Sequence, residues 1–397
     1  MSLTTANDAA SAASTSPPSS LTPAAVVAIG LAGLAVAMGI GRFSFTPLLP
    51  LMQHDAGVSL AQASWLATAN YVGYLAGALV CIVSAPAPTR IIQWGLAAIA
   101  LVTAAMGVTH HLWLWIGLRF LAGAASAYVL VGVSAWAMPI LARGEKAAWS
   151  GRLFSGVGVG ILVAGMVGLA AGLLAWRSQA TWIVLGAMAA MVTAVIWRLV
   201  DDGRPAGAAA APTRTPLDRH ALIGAASYGC FGYGYIIPAT FLPALARDVI
   251  ADPAVFGWVW PVFGAAGALS TVLAARLMPA LSPRRVWVYA KLVLAVGVLA
   301  PVVATTLPVL LFAAVCVGGT FMVITMAGIE ETRRLGGAQA PRLMALYTAT
   351  FAAGQIAGPL TVGAFGGGLV VPGLLAAAAL VASCVALSLP HRPGSAT

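Results

Sequence analysis

From residue 24 to residue 389 the chain is a series of twelve apolar runs, most of them about 20 residues or longer, parted by short polar stretches. That length matches the hydrocarbon core of a bilayer, which takes about 20 residues of helix to cross. Inside lipid every backbone N–H and C=O needs a partner within the protein, so such runs fold as helices and not as isolated strands. The runs are 24–50, 62–84, 91–109, 111–138, 149–174 and 178–199, then 219–246, 254–279, 285–305, 307–329, 342–365 and 369–389. We number them spans 1 to 12. Only 8% of residues are charged, against about 25% in a soluble domain, so the polar surface is too small to face water. The net charge of +10 sits on single basic residues scattered between apolar runs. No basic stripe tracks a phosphate backbone, which excludes a nucleic-acid partner.

The spans form two matching sets. Residues 39–55, GIGRFSFTPLLPLMQHD, return 193 positions later as GYGYIIPATFLPALARD, residues 232–248. The ungapped match keeps Gly39/Gly232, Gly41/Gly234, Leu49/Leu242, Pro50/Pro243 and Asp55/Asp248, and continues to Trp65/Trp258. Chance matches in a chain rich in Ala, Leu and Gly fall mostly on those residues, whereas these include Pro, Asp and Trp. The offset is close to half the chain, so one unit is duplicated end to end. Duplicated apolar halves are expected of a secondary transporter. The organisation expected is a disordered tail over 1–22, a six-helix bundle over 23–199, a polar linker over 200–218, a second bundle over 219–390 and a tail over 391–397. Residues 1–22 are Ala, Ser, Thr and Pro-rich without Lys or Arg; they lack the basic start of a signal peptide, so span 1 is expected to be retained.

Charge orients the spans. With the N-terminus in the cytoplasm, sixteen basic residues, Lys291 among them, fall on the cytoplasmic side and only Arg177 and Arg247 on the other. This satisfies the positive-inside rule, and a missed or invented helix would scramble it. Trp65, Trp113, Trp115, Trp176 and Trp258 fall near outer span ends, and Trp94, Trp136, Trp149, Trp197 and Trp287 near inner ones, as an interfacial belt requires. Two Lys against eighteen Arg points to a GC-rich bacterial genome, hence to a multi-pass protein of the plasma (inner) membrane with both termini cytoplasmic. Cys81, Cys230, Cys316 and Cys384 each lie in an apolar run without CxxC spacing and read as packing residues. His110 and His111 are adjacent and cannot share the i,i+4 face of a helical metal site, so neither a cofactor nor an enzyme's metal centre is expected.

Twelve helices as two sixes around a central cytoplasmic linker resemble the major facilitator superfamily over residues 22–390. The opening GIGRFSFTPLLPLM, RFLAG at 119–123 and SGVGVG at 155–160 are similar to its YbfB/YjiJ-like branch. The resemblance implies an all-α integral membrane protein of 12 transmembrane helices in two pseudo-symmetric six-helix bundles. It also implies a monomer, alternating access to a central cavity lined by spans 1 and 4 among others, and packing of spans 5 and 11 against spans 8 and 2. Arg119 and Gly123 keep the superfamily's RxxxG pattern on span 4. The chain departs from the pattern elsewhere. The loop region 77–90 and the loop after span 8, with Arg276, Arg284 and Arg285, hold no acid for the usual cytoplasmic charge latch. Gly156-Val-Gly-Val-Gly160 lacks the antiporter proline, which argues against drug/proton antiport.

Arg42 and Arg119 are basic residues within spans 1 and 4, away from their cytoplasmic ends. Burying an Arg at mid-membrane costs about 2.5–3.5 kcal/mol on insertion scales, and such residues mark function by default. All ten acids lie outside the spans or at their ends, so the pair is expected to give a positive field that receives an anionic substrate. Two other readings stay open: Arg119 bonded to helix carbonyls as a structural residue, and Arg42 snorkelling outward or pairing with Asp55. Arg42 aligns with Tyr235 in the repeat, which points to an asymmetric site. Tyr228 and Tyr235, seven apart, share a helix face. Asn70, Tyr71 and Tyr74 on span 2, with Tyr347 and Gln355 on span 11, complete the binding candidates. Gly39, Gly41, Pro47 and Pro50 loosen span 1, and Gly232, Gly234, Pro238 and Pro243 loosen span 7, as bending sites or static kinks. Gly156/Gly160 and Gly354/Gly358 have the small-xxx-small spacing of close helix contacts.

The function expected is secondary active transport of a small organic solute, an anion, across the membrane. The partners are the lipid bilayer, the solute, and protons or a counter-transported anion. No Asp, Glu or His falls at mid-span, so anion exchange, or symport with a proton the substrate brings, fits better than carboxylate-driven antiport. The alternative is efflux of neutral or anionic drugs or metabolites.

Overall fold

The computed structural model describes residues 21–84, 87–143, 149–200, 219–277, 280–336, 340–366 and 368–388. The expected terminal tails and central linker lie outside them, apart from Leu21, Thr22 and Val200. The described residues form twelve helical rods and no strand. Rod 1 joins α1 (Pro23–Leu34), a π-helical stretch (Ala35–Phe43) and α2 (Phe45–Asp55). It starts where the sequence places its signals: Thr22 Oγ1 accepts from Ala25 N at 3.3 Å, and Pro23 takes the first helical position, which needs no N–H donor.

Rods 2, 3 and 4 are α3 (Leu60–Ser84), α4 (Pro88–Met106) and α5 (Leu112–Arg143). Rod 5 is α6 (Ser150–Phe154) with α7 (Gly156–Leu173), and rod 6 is α8 (Ser178–Leu199). The second set runs α9 (Arg219–Val249), α10 (Pro253–Phe256) with α11 (Val259–Leu277), α12 (Pro283–Val303), α13 (Leu307–Gly336), α14 (Ala340–Ala364) and α15 (Val370–Ser388). Ten of the twelve are long and apolar enough to cross a bilayer by composition alone. The other two, α3 and α14, have 25 residues each, about 37 Å of helix, and carry polar side chains for the centre of the molecule.

Rods 1 to 6 pack among themselves, as do rods 7 to 12; the two bundles meet where α7 lies on α11, α14 on α3 and α2 on α9. Spans 5 and 11 therefore sit against spans 8 and 2. The duplication is visible in atoms: Thr46 Oγ1 donates to Ala239 O at 2.9 Å, and these residues are 193 positions apart. Repeat-equivalent residues touch each other only beside a pseudo-twofold axis, so that axis passes between α2 and α9.

Glycines set the closest approaches. A Cβ on Gly39 would lie 2.2 Å from the backbone of Gly160, and one on Gly160 would lie 2.2 Å from Ala35 O. Gly156 meets Leu31 in the same way. In the second bundle Gly354 faces Gly229 and Gly358 faces Ile236, both on α9. Each small-xxx-small pair thus holds the fifth rod of its bundle against the first. The contact across the bundles uses other glycines, Gly158 against Ala268 and Gly264 against Leu162.

Some sequence readings change in the folded chain. Span 7 holds Gly232, Gly234, Pro238 and Pro243, yet α9 is one unbroken α-helix, while its repeat-mate in rod 1 is π-helical. Lys291, counted above at a cytoplasmic end, is fully buried in α12, eight residues or about 12 Å beyond Pro283. Its ammonium donates to Ser227 O at 3.0 Å and Ser227 Oγ at 2.5 Å. Trp287 and Trp115 turn inward and are buried, whereas Trp65, Trp94, Trp113 and Trp258 are exposed as a lipid-facing belt requires. Asp55 does not reach Arg42: its carboxylate caps α8, accepting from Ser178 N and from Ser178 Oγ at 2.8 Å. An anion at a helix N-terminus meets unpaired N–H groups and the positive end of the dipole. The four cysteines are free thiols.

Candidate functional site

The site grows from the π-helical stretch of rod 1. Hydrogen bonds of the i→i+5 kind widen the helix and leave carbonyls off the regular ladder. In a membrane those carbonyls need donors from neighbouring helices. Ser126 Oγ on α5 donates to Ala37 O at 2.7 Å. Asn70 Nδ2 on α3 reaches Gly41 O at 3.4 Å and Arg119 O at 3.0 Å. Arg119 donates from Nη1 to Gly41 O at 3.3 Å and from Nη2 to Arg42 O at 2.8 Å. Gly123, one turn on, lets α5 lie directly on Asn70; a Cβ there would sit 2.0 Å from Asn70 O. The Arg119 guanidinium is therefore committed to the backbone of rod 1, the geometry of the structural reading left open above. Its Nε has no partner.

Clamped in this way, rod 1 points Arg42 into the seam between the bundles, where its side chain is 3% exposed. Nη2 donates to Gln355 Oε1 on α14 at 2.5 Å. Gln355 Nε2 in turn donates to Tyr235 OH on α9 at 3.3 Å. Aromatic rings cover the guanidinium: Tyr74 lies 3.9 Å from its central carbon, and Tyr71 and Phe43 each lie at 5.4 Å. A cation over an aromatic face gains about 0.5–2 kcal/mol, more when desolvated. Arg42 Nε is buried without an acceptor. A buried donor left unsatisfied costs about 1–3 kcal/mol, and more when charged.

Tyr235 extends the site into the second bundle. Its ring lies parallel to Phe321 of α13, at 5.6 Å and 6°, and to Phe351 of α14, at 5.9 Å and 11°. Tyr71 OH and Thr240 Oγ1 share a 3.0 Å hydrogen bond across the bundles. Arg42, Arg119, Asn70, Tyr74, Tyr235 and Gln355 thus form one connected group. Tyr228 meets this group through rings alone: Phe351 lies 5.4 Å from it and 5.9 Å from Tyr235. Two turns along α9, Tyr228 packs edge-on to Trp287 and against Tyr347 at 5.3 Å, in an aromatic cluster on the other side of Phe351. Thr240, Phe321 and Phe351 were not legible as site residues. The two Phe look like any apolar helix residue, and Thr240 acquires its role only when α9 meets α3.

Among the described residues the recorded ion pair is the exposed Arg333–Glu330 contact at 3.6 Å, far from this group in sequence. Among the described residues, side-chain hydrogen bonds cross the seam at four places: Arg42–Gln355, Thr46–Ala239, Tyr71–Thr240 and Arg247 Nη1 to Gln53 Oε1 at 3.4 Å. They gather from the middle of rod 1 to its Asp55 end. Pro47 of α2 packs under Gly168 of α7 beside a small cavity of about 30 Å³. This side of the seam is packed shut.

Comparison with known proteins follows the same lines. The nucleoside transporter NupG, solved as a mutant, matches with a TM-score of 0.73 at 13% identity, over 91% of this chain and 98% of that one, which shows the fold. An uncharacterized MFS-type transporter of Bacillus subtilis (strain 168), YceJ, is 26% identical over 187 residues. That match takes in 44% of this chain and 45% of YceJ, so it spans less than half the length of this curated relative. The model of the family described as "Uncharacterised MFS-type transporter YbfB" matches residues 34–388. With twelve helices in two pseudo-symmetric bundles and a match along nearly its whole length, the chain belongs to this MFS-type transporter family and is a multi-pass membrane protein.

Proposed function

We propose that the chain is a secondary active transporter that moves a small organic anion by alternating access across the plasma membrane, the inner membrane of a bacterium. The observation that carries this is Arg42: a guanidinium buried at the seam of the two bundles, with no carboxylate beside it among the described residues. A buried charge is stable only with compensating charge or dipoles around it. Gln355 supplies a dipole and the tyrosines supply ring quadrupoles, but no countercharge. A substrate anion would supply one, and Arg119 adds to the same positive field. The closed Asp55 side supports alternating access. Rocking the bundles about the α7–α11 and α3–α14 contacts would break the four seam bonds and open that side.

The distribution of charge supports cytoplasmic termini. Among the described residues, Arg90, Arg152, Arg198, Arg219, Arg276 and Arg284 start or end rods on the face opposite Asp55, while the Asp55 face carries Arg177 and Arg247. Protons or a counter-transported anion would couple the cycle, in a monomer. A second reading has one observation in its favour: the parallel rings of Tyr235, Phe321 and Phe351 suit a flat neutral solute or drug, moved by efflux.

Thermal unfolding of the purified protein across organic anions, neutral metabolites and drugs separates the two. A ligand at 100 times its Kd adds about 2.7 kcal/mol to the stability of the folded state. We expect anions to raise the Tm of the wild type and to lose that effect in Arg42→Gln. Stabilisation by neutral compounds alone, equal in both proteins, would end the anion reading and bring the second one forward.

A further inference from the structure

The chemistry around Arg42 narrows the anion further, on the reading that an anion is what this site receives. We propose that the substrate is a flat-bodied monocarboxylate, such as an aromatic acid, and that its carboxylate displaces the Gln355 amide from the edge of the Arg42 guanidinium.

Three rings and one amide crowd that guanidinium. Tyr74 at 3.9 Å and Tyr71 and Phe43 at 5.4 Å lie over it, so a partner approaches along the edge and not over the plane. The edge formed by Nε–H and Nη2–H presents two parallel donors, spaced for the two oxygens of a carboxylate. The protein fills half of it. Gln355 Oε1 takes Nη2, the other end of the amide is turned to Tyr235, and Nε is left buried with no acceptor. An amide has one acceptor oxygen; a carboxylate in its place has two and completes the edge.

A carboxylate fits this edge with two oxygens for two donors, while Arg119 gives Nη1 and Nη2 to the carbonyls of Gly41 and Arg42. A phosphate or sulfonate would bring a third oxygen, to be met by neutral donors such as Gln355 Nε2 or the hydroxyls of Tyr74 and Tyr235. A single negative charge matches the one guanidinium edge open to a ligand. Beyond Gln355, the parallel rings of Tyr235, Phe321 and Phe351 present the kind of surface on which a planar body stacks. Breaking the Arg42–Gln355 bond also removes one of the links between rod 1 of one bundle and α14 of the other, so occupancy of the site weakens the seam.

The test uses the full-length purified chain and its Gln355→Glu and Gln355→Ala variants. Thermal shifts are measured with benzoate, cinnamate, butyrate, benzamide, benzenesulfonate and phenyl phosphate. In the wild type benzoate or cinnamate raises the Tm more than butyrate does, and benzamide does nothing. Gln355→Glu sets a carboxylate permanently on the Arg42 edge; the protein stays folded and its affinity for aromatic carboxylates falls at least about tenfold. Gln355→Ala removes the internal competitor, and the same affinity rises several-fold. If benzenesulfonate or phenyl phosphate stabilises the protein and the carboxylates do not, the carboxylate assignment falls while the anion reading stands. If benzamide acts and no anion does, both fall. An unchanged response in Gln355→Glu, or a weakened one in Gln355→Ala, would also overturn the proposal, because Gln355 would then not compete for this edge.

Discussion

Arg42 and Lys291 are both buried cations without a described carboxylate beside them, and their surroundings assign them different work. Arg42 sits where two bundles meet, with a donor unused and rings on its faces. Lys291 sits within one bundle, where Ser227 O and Oγ take its ammonium and Trp287 lies 5.4 Å away. An ammonium buried without a countercharge carries a large desolvation cost, and Ser227 lies within the regular helix α9, whose own ladder pairs its backbone. Lys291→Met is therefore expected to keep or raise the Tm, measured by thermal unfolding in detergent. A clear fall would mean that the bonds to Ser227 hold α12 to α9. By sequence Lys291 lies near the cytoplasmic end of span 9, unlike Arg42, and only the packing of α12 on α9 and α15 shows that it too is buried.

At the scale of elements, the contrast between rod 1 and α9 is the informative one. Both carry two glycines at matched positions and two prolines, of which Pro50 and Pro243 align, and both read as loosened helices. Only rod 1 becomes π-helical, and only rod 1 has Ser126, Asn70 and Arg119 aimed at its carbonyls. Glycine and proline permit an irregular backbone; donors on the neighbouring helices are what make it stable in lipid. Arg119→Met leaves Arg42 O without its side-chain donor and Gly41 O with only the 3.4 Å bond from Asn70, and a carbonyl left buried and unpaired costs about 1–3 kcal/mol. We expect its Tm to fall by several degrees, and substrate binding to weaken with it as Arg42 loses its aim. An unchanged Tm would show that rod 1 holds its shape without the clamp.

For the whole molecule, the seam bonds near Asp55 define which side is closed. Gln53 and Arg247 are hydrogen-bonded across the two bundles at that end. A Gln53→Cys/Arg247→Cys pair, made in a chain whose four native cysteines are replaced by alanine, is expected to accept a short bifunctional thiol reagent. Cross-linking should then stop uptake into proteoliposomes, and cleavage of a reducible linker should restore it. Uptake that continues at full rate in the cross-linked protein would show that this side need not open. The bond between Thr46 and Ala239 belongs to the same scale, since it exists only because two copies of one unit face each other across an axis.

Span number, duplication and helical class were legible because each is written in one dimension. A run of about 20 apolar residues has few alternatives to a helix in lipid, and the 193-residue offset is a property of the string alone. Arg42, Arg119, Asn70, Tyr74, Tyr235 and Gln355 could be named because polar residues inside apolar runs are costly and few. Which of them touch, and what each does there, was decided by tertiary structure. Arg119 turns to carbonyls that become available only when rod 1 adopts a π-helix. Arg42 meets Gln355, 313 positions away, only when α14 crosses α3. Tyr228, on the same helix as Tyr235, is drawn into a different cluster by Trp287 and Tyr347. Hydropathy reports the solvent that each segment prefers; the partners a side chain finds depend on which helices come to lie against it.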